Sequence, residues 1–179
     1  MIEAANIIFS LLTVLSELFI LAVLIALFLK KRDSKPLAFL AKHAYLLAFL
    51  VVLGATAGSL FYSEVAGYEP CKLCWFQRIF LFPQVIILGL ALLGKASEVR
   101  SIVVALSAIG ALFAVYHNLL QFGLVSGGWC ASTAVSCAQR FVLAFGYVTI
   151  PVMSLTVFLL IIALMIISPK TSRAGDGYK

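Results

Sequence analysis

Five apolar runs, each near the roughly 20 residues that an α-helix needs to cross about 30 Å of hydrocarbon, take up most of this 179-residue chain. They are expected at about Ala5–Leu29, Leu37 or His43 to Phe61, Trp75–Leu93, Ser101–Gln121 and Phe145–Ile167. Backbone amides in lipid must find partners inside their own segment, so the runs read as helices and the chain as an all-α integral membrane protein. Composition agrees: 64% of residues are hydrophobic, 11% are charged and the mean hydropathy is +1.15, which leaves too few charges to clothe a soluble surface. The net charge of +6 does not read as a nucleic-acid surface, because the basic residues sit in short blocks beside apolar runs.

Those blocks set an expected orientation. Lys30, Lys31, Arg32, Lys35, Lys42, Lys95, Arg100, Lys170, Arg173 and Lys179 fall on one side of a five-span topology and Lys72, Arg78 and Arg140 on the other, ten against three. The positive-inside rule then puts the N-terminus outside and the polar tail in the cytoplasm. The first run opens with Glu3 and ends in Lys30-Lys31-Arg32, which reads as a span and not as a cleaved leader. Cys71, Cys74, Cys130 and Cys137 share the extracytoplasmic side, where disulfides persist. Glu17, near the middle of the first span, is expected to stay protonated and to hydrogen-bond a hydroxyl such as Ser107 or Ser154, with proton handling as the functional alternative.

Chemistry concentrates at Pro70-Cys71-Lys72-Leu73-Cys74-Trp75-Phe76-Gln77-Arg78. With Pro70 as the first helical residue, both sulfurs fall on one face at the positive end of the helix dipole, which favours thiolate. Arg78, four residues after Cys74, brings a permanent charge to that face. Two thiols at this spacing form an easily exchanged disulfide. A pair of buried cysteines or half of a zinc site uses the same spacing. Cys130 and Cys137, with six small and polar residues between them, can close a loop disulfide on a water-facing, partner-accessible segment, either as a static clip or as a second redox pair. His117, about a turn from the end of its span, is expected near the depth of Arg78, where the two would make a polar pocket in an apolar wall.

Pro-Cys-x-x-Cys-x-x-x-Arg at the head of one span, Tyr116-His117-x-x-x-Gln121 at the end of the next and a cysteine pair in the following loop together resemble the disulfide bond formation protein B family. The wording from Cys71 to Phe80 is most similar to its short, BdbC-type branch. The resemblance implies a four-helix transmembrane bundle in a bacterial cytoplasmic membrane that reoxidises a soluble DsbA/BdbD-like thioredoxin-fold thiol oxidase and passes the electrons to ubiquinone or menaquinone. It implies that Cys130 and Cys137 take electrons from the partner, Cys130 through a mixed disulfide, and that Cys71 and Cys74 reoxidise that pair. Cys74 would engage the quinone, Arg78 would stabilise both thiolate and quinone oxygen, and His117 would lie near the quinone ring.

Two features depart from that pattern: the first span is additional, and the second loop is short. The partition expected is an extra helix and basic linker over 1–36, a bundle over 37–167 and a polar tail over 168–179. Competing readings are a vitamin K epoxide reductase-like enzyme, whose Cys-x-x-Cys would follow the loop pair and not precede it, and a non-catalytic membrane protein locked by disulfides or by zinc on all four thiolates.

Overall fold

The structure, a computed structural model, describes residues 1–29, 35–94, 99–126, 130 and 136–168. The basic positions Lys30, Lys31, Arg32, Lys95, Lys170, Arg173 and Lys179, with Trp129 and loop residues 131–135, lie outside that set. Among the described residues five α-helices follow in order: α1 (Ile2–Phe28), α2 (Lys35–Leu60), α3 (Lys72–Leu92), α4 (Val99–Gln121) and α5 (Ile150–Ile167). All five are long and apolar enough to span a membrane.

Helices α2 to α5 close a ring, each packed on its chain neighbour and α5 back on α2, while α1 lies along the outside of α5. The ring is filled by Val52, Leu88, Val103, Phe158, Ile161, Leu164 and Met165, all fully buried or nearly so. Close approach is decided by small residues, since lipid offers no hydrophobic drive for helix association. Gly110 of α4 is the tightest case: a Cβ there would stand 2.3 Å from Cζ of Phe158. Polar side chains inside the ring find partners across it. Pro83 removes a backbone donor within α3, and one residue on Gln84 bonds the Phe80 carbonyl (2.8 Å) while accepting from Ser107 of α4 (3.1 Å).

Three expectations are corrected. Helix α5 begins at Ile150 and not at Phe145, because Phe145 and Gly146 both take positive φ (51° and 78°) in a tight turn closed by the Ala144–Val148 bridge. The helix then starts from Thr149 with Pro151 in its first turn. Helix α3 begins at Lys72: Cys71 is its extended N-cap, and Pro70 lies outside. Glu17 bonds neither Ser107 nor Ser154. Its carboxyl accepts from Tyr147 Oη (2.7 Å), brought there by the tight turn, and from Thr156 Oγ1 of α5 (3.1 Å). That contact fastens α1 to the bundle.

The end of α2 is also less regular than its apolar pattern suggests. It runs into a π-helical turn, Phe61–Val65, a wider winding common at functional sites, and stops at Gly67 with φ +70°. The turn carries Tyr62 inward. Gly110→Ala is expected to lower unfolding stability by about 1–3 kcal/mol, since overpacking against an immobile ring outweighs the helix propensity gained. Gly54→Ala, whose Cβ meets nothing within 4 Å, is expected to be neutral or stabilising. Thermal unfolding of the two variants in detergent checks both.

Candidate active site

Cys71 reaches its place through helix capping. An extended residue (φ −69°, ψ 171°) turns its side chain back over the first turn, where Cys71 Sγ accepts from the Cys74 amide at 3.4 Å. The same geometry brings Cys71 Sγ and Cys74 Sγ to 3.0 Å, both as free thiols. The two sulfurs therefore do share one face at the start of α3, as the spacing predicts.

His117, buried near the end of α4, faces this pair. Its Nε2 lies 3.0 Å from the Cys137 carbonyl and 3.8 Å from Cys71 Sγ, and its Nδ1 lies 3.0 Å from Gln77 Nε2. A carbonyl can only accept, so Nε2 carries the proton and Nδ1 accepts from the Gln77 amide. Nε2–H thus points at both the Cys137 carbonyl and the Cys71 sulfur. The Cys71 thiol, just ahead of the membrane-spanning segment, is pulled below the ordinary thiol value, first by the hydrogen bond from Cys74 and further by His117, against the opposing effect of burial.

The loop pair joins the same cluster. Cys130 and Cys137 are disulfide-bonded and only 1% and 2% exposed, packed with Cys71, Leu73 and Leu120. Of the segment expected to face water, residues 131–135 lie outside the described set and Ser136 is exposed, while the two sulfurs turn inward. The segment is pinned to the end of α4, where Gln121 Nε2 donates to the Gln139 carbonyl (3.0 Å) and Arg140 donates to the Gln121 carbonyl. The four-thiolate zinc site is likewise excluded as drawn, because two of its sulfurs are bonded to each other. Cys71, Cys74 and His117 do bring ligand atoms within 4.8 Å of one another, but both imidazole nitrogens already have partners.

Arg78 stands on the other side of Cys74. Its Nε donates to Ser59 Oγ (2.9 Å) and its Nη2 to the Ser59 carbonyl (2.7 Å) on α2, and its guanidinium lies 5.3 Å from the Trp75 ring and 5.9 Å from that of Phe82. Cys74, Gln77, Arg78 and His117 all line one cavity of about 360 Å³, whose remaining wall is largely apolar. Tyr62, Tyr68 and Phe141 form a stacked aromatic side to it, with ring centroids 5.7 and 4.9 Å apart. The polar pocket expected of His117 and Arg78 is therefore assembled. Glu17 is not among its lining residues.

The sequence model of the family described as "Disulfide bond formation protein DsbB" matches residues 41–168, helices α3 to α5 and most of α2. The chain belongs to the disulfide bond formation protein B family. It is 42% identical over 120 residues to the "SPbeta prophage-derived disulfide bond formation protein B" of Bacillus subtilis, covering 67% of this chain and 81% of that protein. It is 41% identical over 133 residues to a "Probable disulfide formation protein" of Oceanobacillus iheyensis, 73% of this chain and 91% of that one. The "Disulfide bond formation protein C" of B. subtilis is 38% identical over 120 residues, 66% and 86% of the two chains. No solved structure matches. Membership makes this a multi-pass membrane oxidoreductase of disulfide bond formation, and α1 lies wholly outside the family-matched region.

Three roles in this site are invisible in motif reading: Ser59 holds Arg78, Gln77 donates to His117 Nδ1, and Arg140 clasps Gln121. Gln77 carried a signal, being a polar residue within a span. In the reduced protein, iodoacetamide labelling of Cys71 is expected to be nearly flat between about pH 7 and 8.5, where an ordinary thiol gains close to tenfold per pH unit. Cys74→Ala, which removes the larger cause, is expected to restore a rising profile by moving the thiol back toward its ordinary value, and His117→Ala to do so by less. Peptide mapping of the label against pH checks the shift.

Proposed function

We propose that this oxidoreductase takes electrons from a reduced thioredoxin-fold thiol oxidase on the extracytoplasmic side and delivers them to a membrane quinone. In this reading the N-terminus is outside, residues 1–36 are an added helix and linker, 37–167 are the catalytic bundle and 168–179 are a cytoplasmic tail. The observation that carries it is the contact of both cysteine pairs in one buried cluster that opens, past Cys74, onto the cavity holding Arg78.

Thiol exchange balances as follows. A partner thiolate attacks Cys130 Sγ, a partner–Cys130 disulfide forms and the Cys130–Cys137 bond breaks, leaving Cys137 as the thiolate. The partner's second thiolate then attacks its own mixed-disulfide sulfur, releasing oxidised partner and a Cys130/Cys137 dithiol. That dithiol reduces a Cys71–Cys74 disulfide by the same two displacements, so two electrons and two protons move inward at each exchange. Cys71 is the sulfur of its pair that packs in the buried cluster with Cys130 and Cys137, which supports it as the entry point for this exchange.

The cavity suits a quinone. Its volume falls within the roughly 300–1,000 Å³ of small-molecule pockets, its aromatic side can receive a planar ring, and Nη1 of Arg78 makes no hydrogen bond among the described residues. Cys74, Arg78 and His117 would hold the ring, which supplies a two-electron, two-proton acceptor. Arg78, fixed by Ser59, keeps a positive charge beside Cys74 without needing to reorganise, where it would meet negative charge developing on a quinone oxygen.

A second reading has one observation in its favour: the Cys71–Cys74–His117 cluster has the reach of a metal site. The experiment that separates the two is anaerobic. Purified protein is mixed with a reduced thioredoxin-fold oxidase and one equivalent of quinone, while quinol and free thiols are followed. Quinol is expected in step with partner disulfide, to be abolished in Cys74→Ser and slowed about 10²-fold or more in Arg78→Ala with the fold retained. Absent quinol, with zinc released on denaturation, would replace the oxidase reading by the metal one.

A further inference from the structure

Helix α1 lies outside everything the family match covers, yet it supplies part of the cavity wall: Phe9, Leu12, Thr13 and Ser16 line it. The helix is two-faced. Asn6, Ser10, Thr13 and Glu17, spaced four, three and four residues apart, form a polar stripe, with Ser10 and Thr13 buried; Ile7, Ile8, Leu11, Leu15 and Leu18 are exposed. The hydroxyls at the cavity are satisfied within α1 itself, Thr13 on the Phe9 carbonyl (2.8 Å) and Ser16 on that of Leu12 (2.7 Å). What α1 presents to the cavity is therefore a wall without charge or unmet donors.

The seam between α1 and α2 is closed at one level and open at the next. A Cβ on Gly58 would meet the Phe9 ring at 3.2 Å, and that ring also lies 5.5 Å from Tyr62 and 6.3 Å from Phe61, so Phe9 roofs the seam at the cysteine-bearing end. At Gly54, one turn away along the same face and also lining the cavity, a Cβ would meet nothing within 4 Å. Leu12 of α1 and Leu50 of α2 line the cavity too, yet are 53% and 52% exposed, so the cavity reaches the lipid-facing surface between them.

We infer that α1 is the lateral wall of the ligand cavity and that a lipid-dissolved quinone reaches Cys74 through a portal between α1 and α2, roofed by Phe9 and rimmed by Leu12, Leu50 and Gly54. This deepens the quinone reading and rests on it. The extra helix converts a site on the flank of a four-helix ring into a cavity entered sideways from the bilayer, with Glu17 as the fastening that holds the wall in place through Tyr147 and Thr156.

The test is a binding measurement. The full-length protein in lipid nanodiscs is mixed with a decyl-tailed quinone, and quenching of tryptophan fluorescence is followed by stopped flow; Trp75 sits 5.3 Å from the Arg78 guanidinium at the site. Gly54→Leu fills the portal from the α2 side and Leu12→Trp from the α1 side, and each is expected to slow association about tenfold or more, as steric gating of a pocket mouth does. Leu18→Trp, exposed on α1 but away from the cavity, is expected to associate at the wild-type rate and serves as the folding and labelling control. Exchange of the loop disulfide with reduced partner, read without quinone, is expected to be unchanged in all three. Wild-type association in both Gly54→Leu and Leu12→Trp would overturn the portal alone. A wild-type protein that binds no quinone would overturn the function proposed above and this inference with it.

Discussion

The arrangement of the site depends on one imidazole. His117 is buried in the ring of helices, where a polar side chain without partners costs several kcal/mol, and it meets that cost by joining three separate parts of the chain. Gln77 of α3 donates to one nitrogen, and the other nitrogen donates toward the Cys137 carbonyl and the Cys71 sulfur. Because the carbonyl dictates which nitrogen carries hydrogen, the N–H that faces Cys71 is fixed by the backbone. Remove the imidazole, and the segment that bears Cys137 loses its hydrogen-bonded link to the start of α3 and keeps only packing there.

Arg78 solves the complementary problem of keeping a full charge at membrane depth. Snorkelling to the interface would withdraw it from Cys74, so it is satisfied locally, by the hydroxyl and carbonyl of one small residue on α2 and by two aromatic faces. A serine at position 59 is short enough to allow α2 and α3 to approach while still offering two acceptors. The small-residue run of α2 thus serves three ends: Gly58 receives a ring, Ser59 holds a charge and Gly54 leaves space.

The parts legible in the sequence are those governed by local geometry. Span length follows from bilayer thickness, and all five helices lie within a few residues of the apolar runs. The four-residue step from Cys74 to Arg78 follows from helical pitch, and the depth of His117 from counting turns. What escaped notice depends on distant pairings or on backbone sign. Ser59 meets Arg78 across 19 residues and Gln77 meets His117 across 40, contacts that no local spacing encodes. Glu17 reaches past Ser107 and Ser154 to partners 130 and 139 residues away. Phe145 reads as the start of a helix because its left-handed φ leaves no trace in its apolar side chain. The polar residues between Cys130 and Cys137 suggest exposure, whereas the two sulfurs follow the apolar preference of cysteine itself and turn inward.

That inward turn acts as insulation. A disulfide held at 1% and 2% exposure offers no line of approach to small thiols in solution, since attack must run nearly along the sulfur–sulfur axis. In the oxidase reading proposed above, stray reductants would then be kept from the pair, and a macromolecular partner would have to free the two sulfurs from Leu73 and Leu120 to react with them. Such a partner spends part of its contact energy on opening, so it would bind more weakly than its contact area implies and leave readily once oxidised. Under that proposal, concealing the bond would give selectivity and turnover by the same physical means.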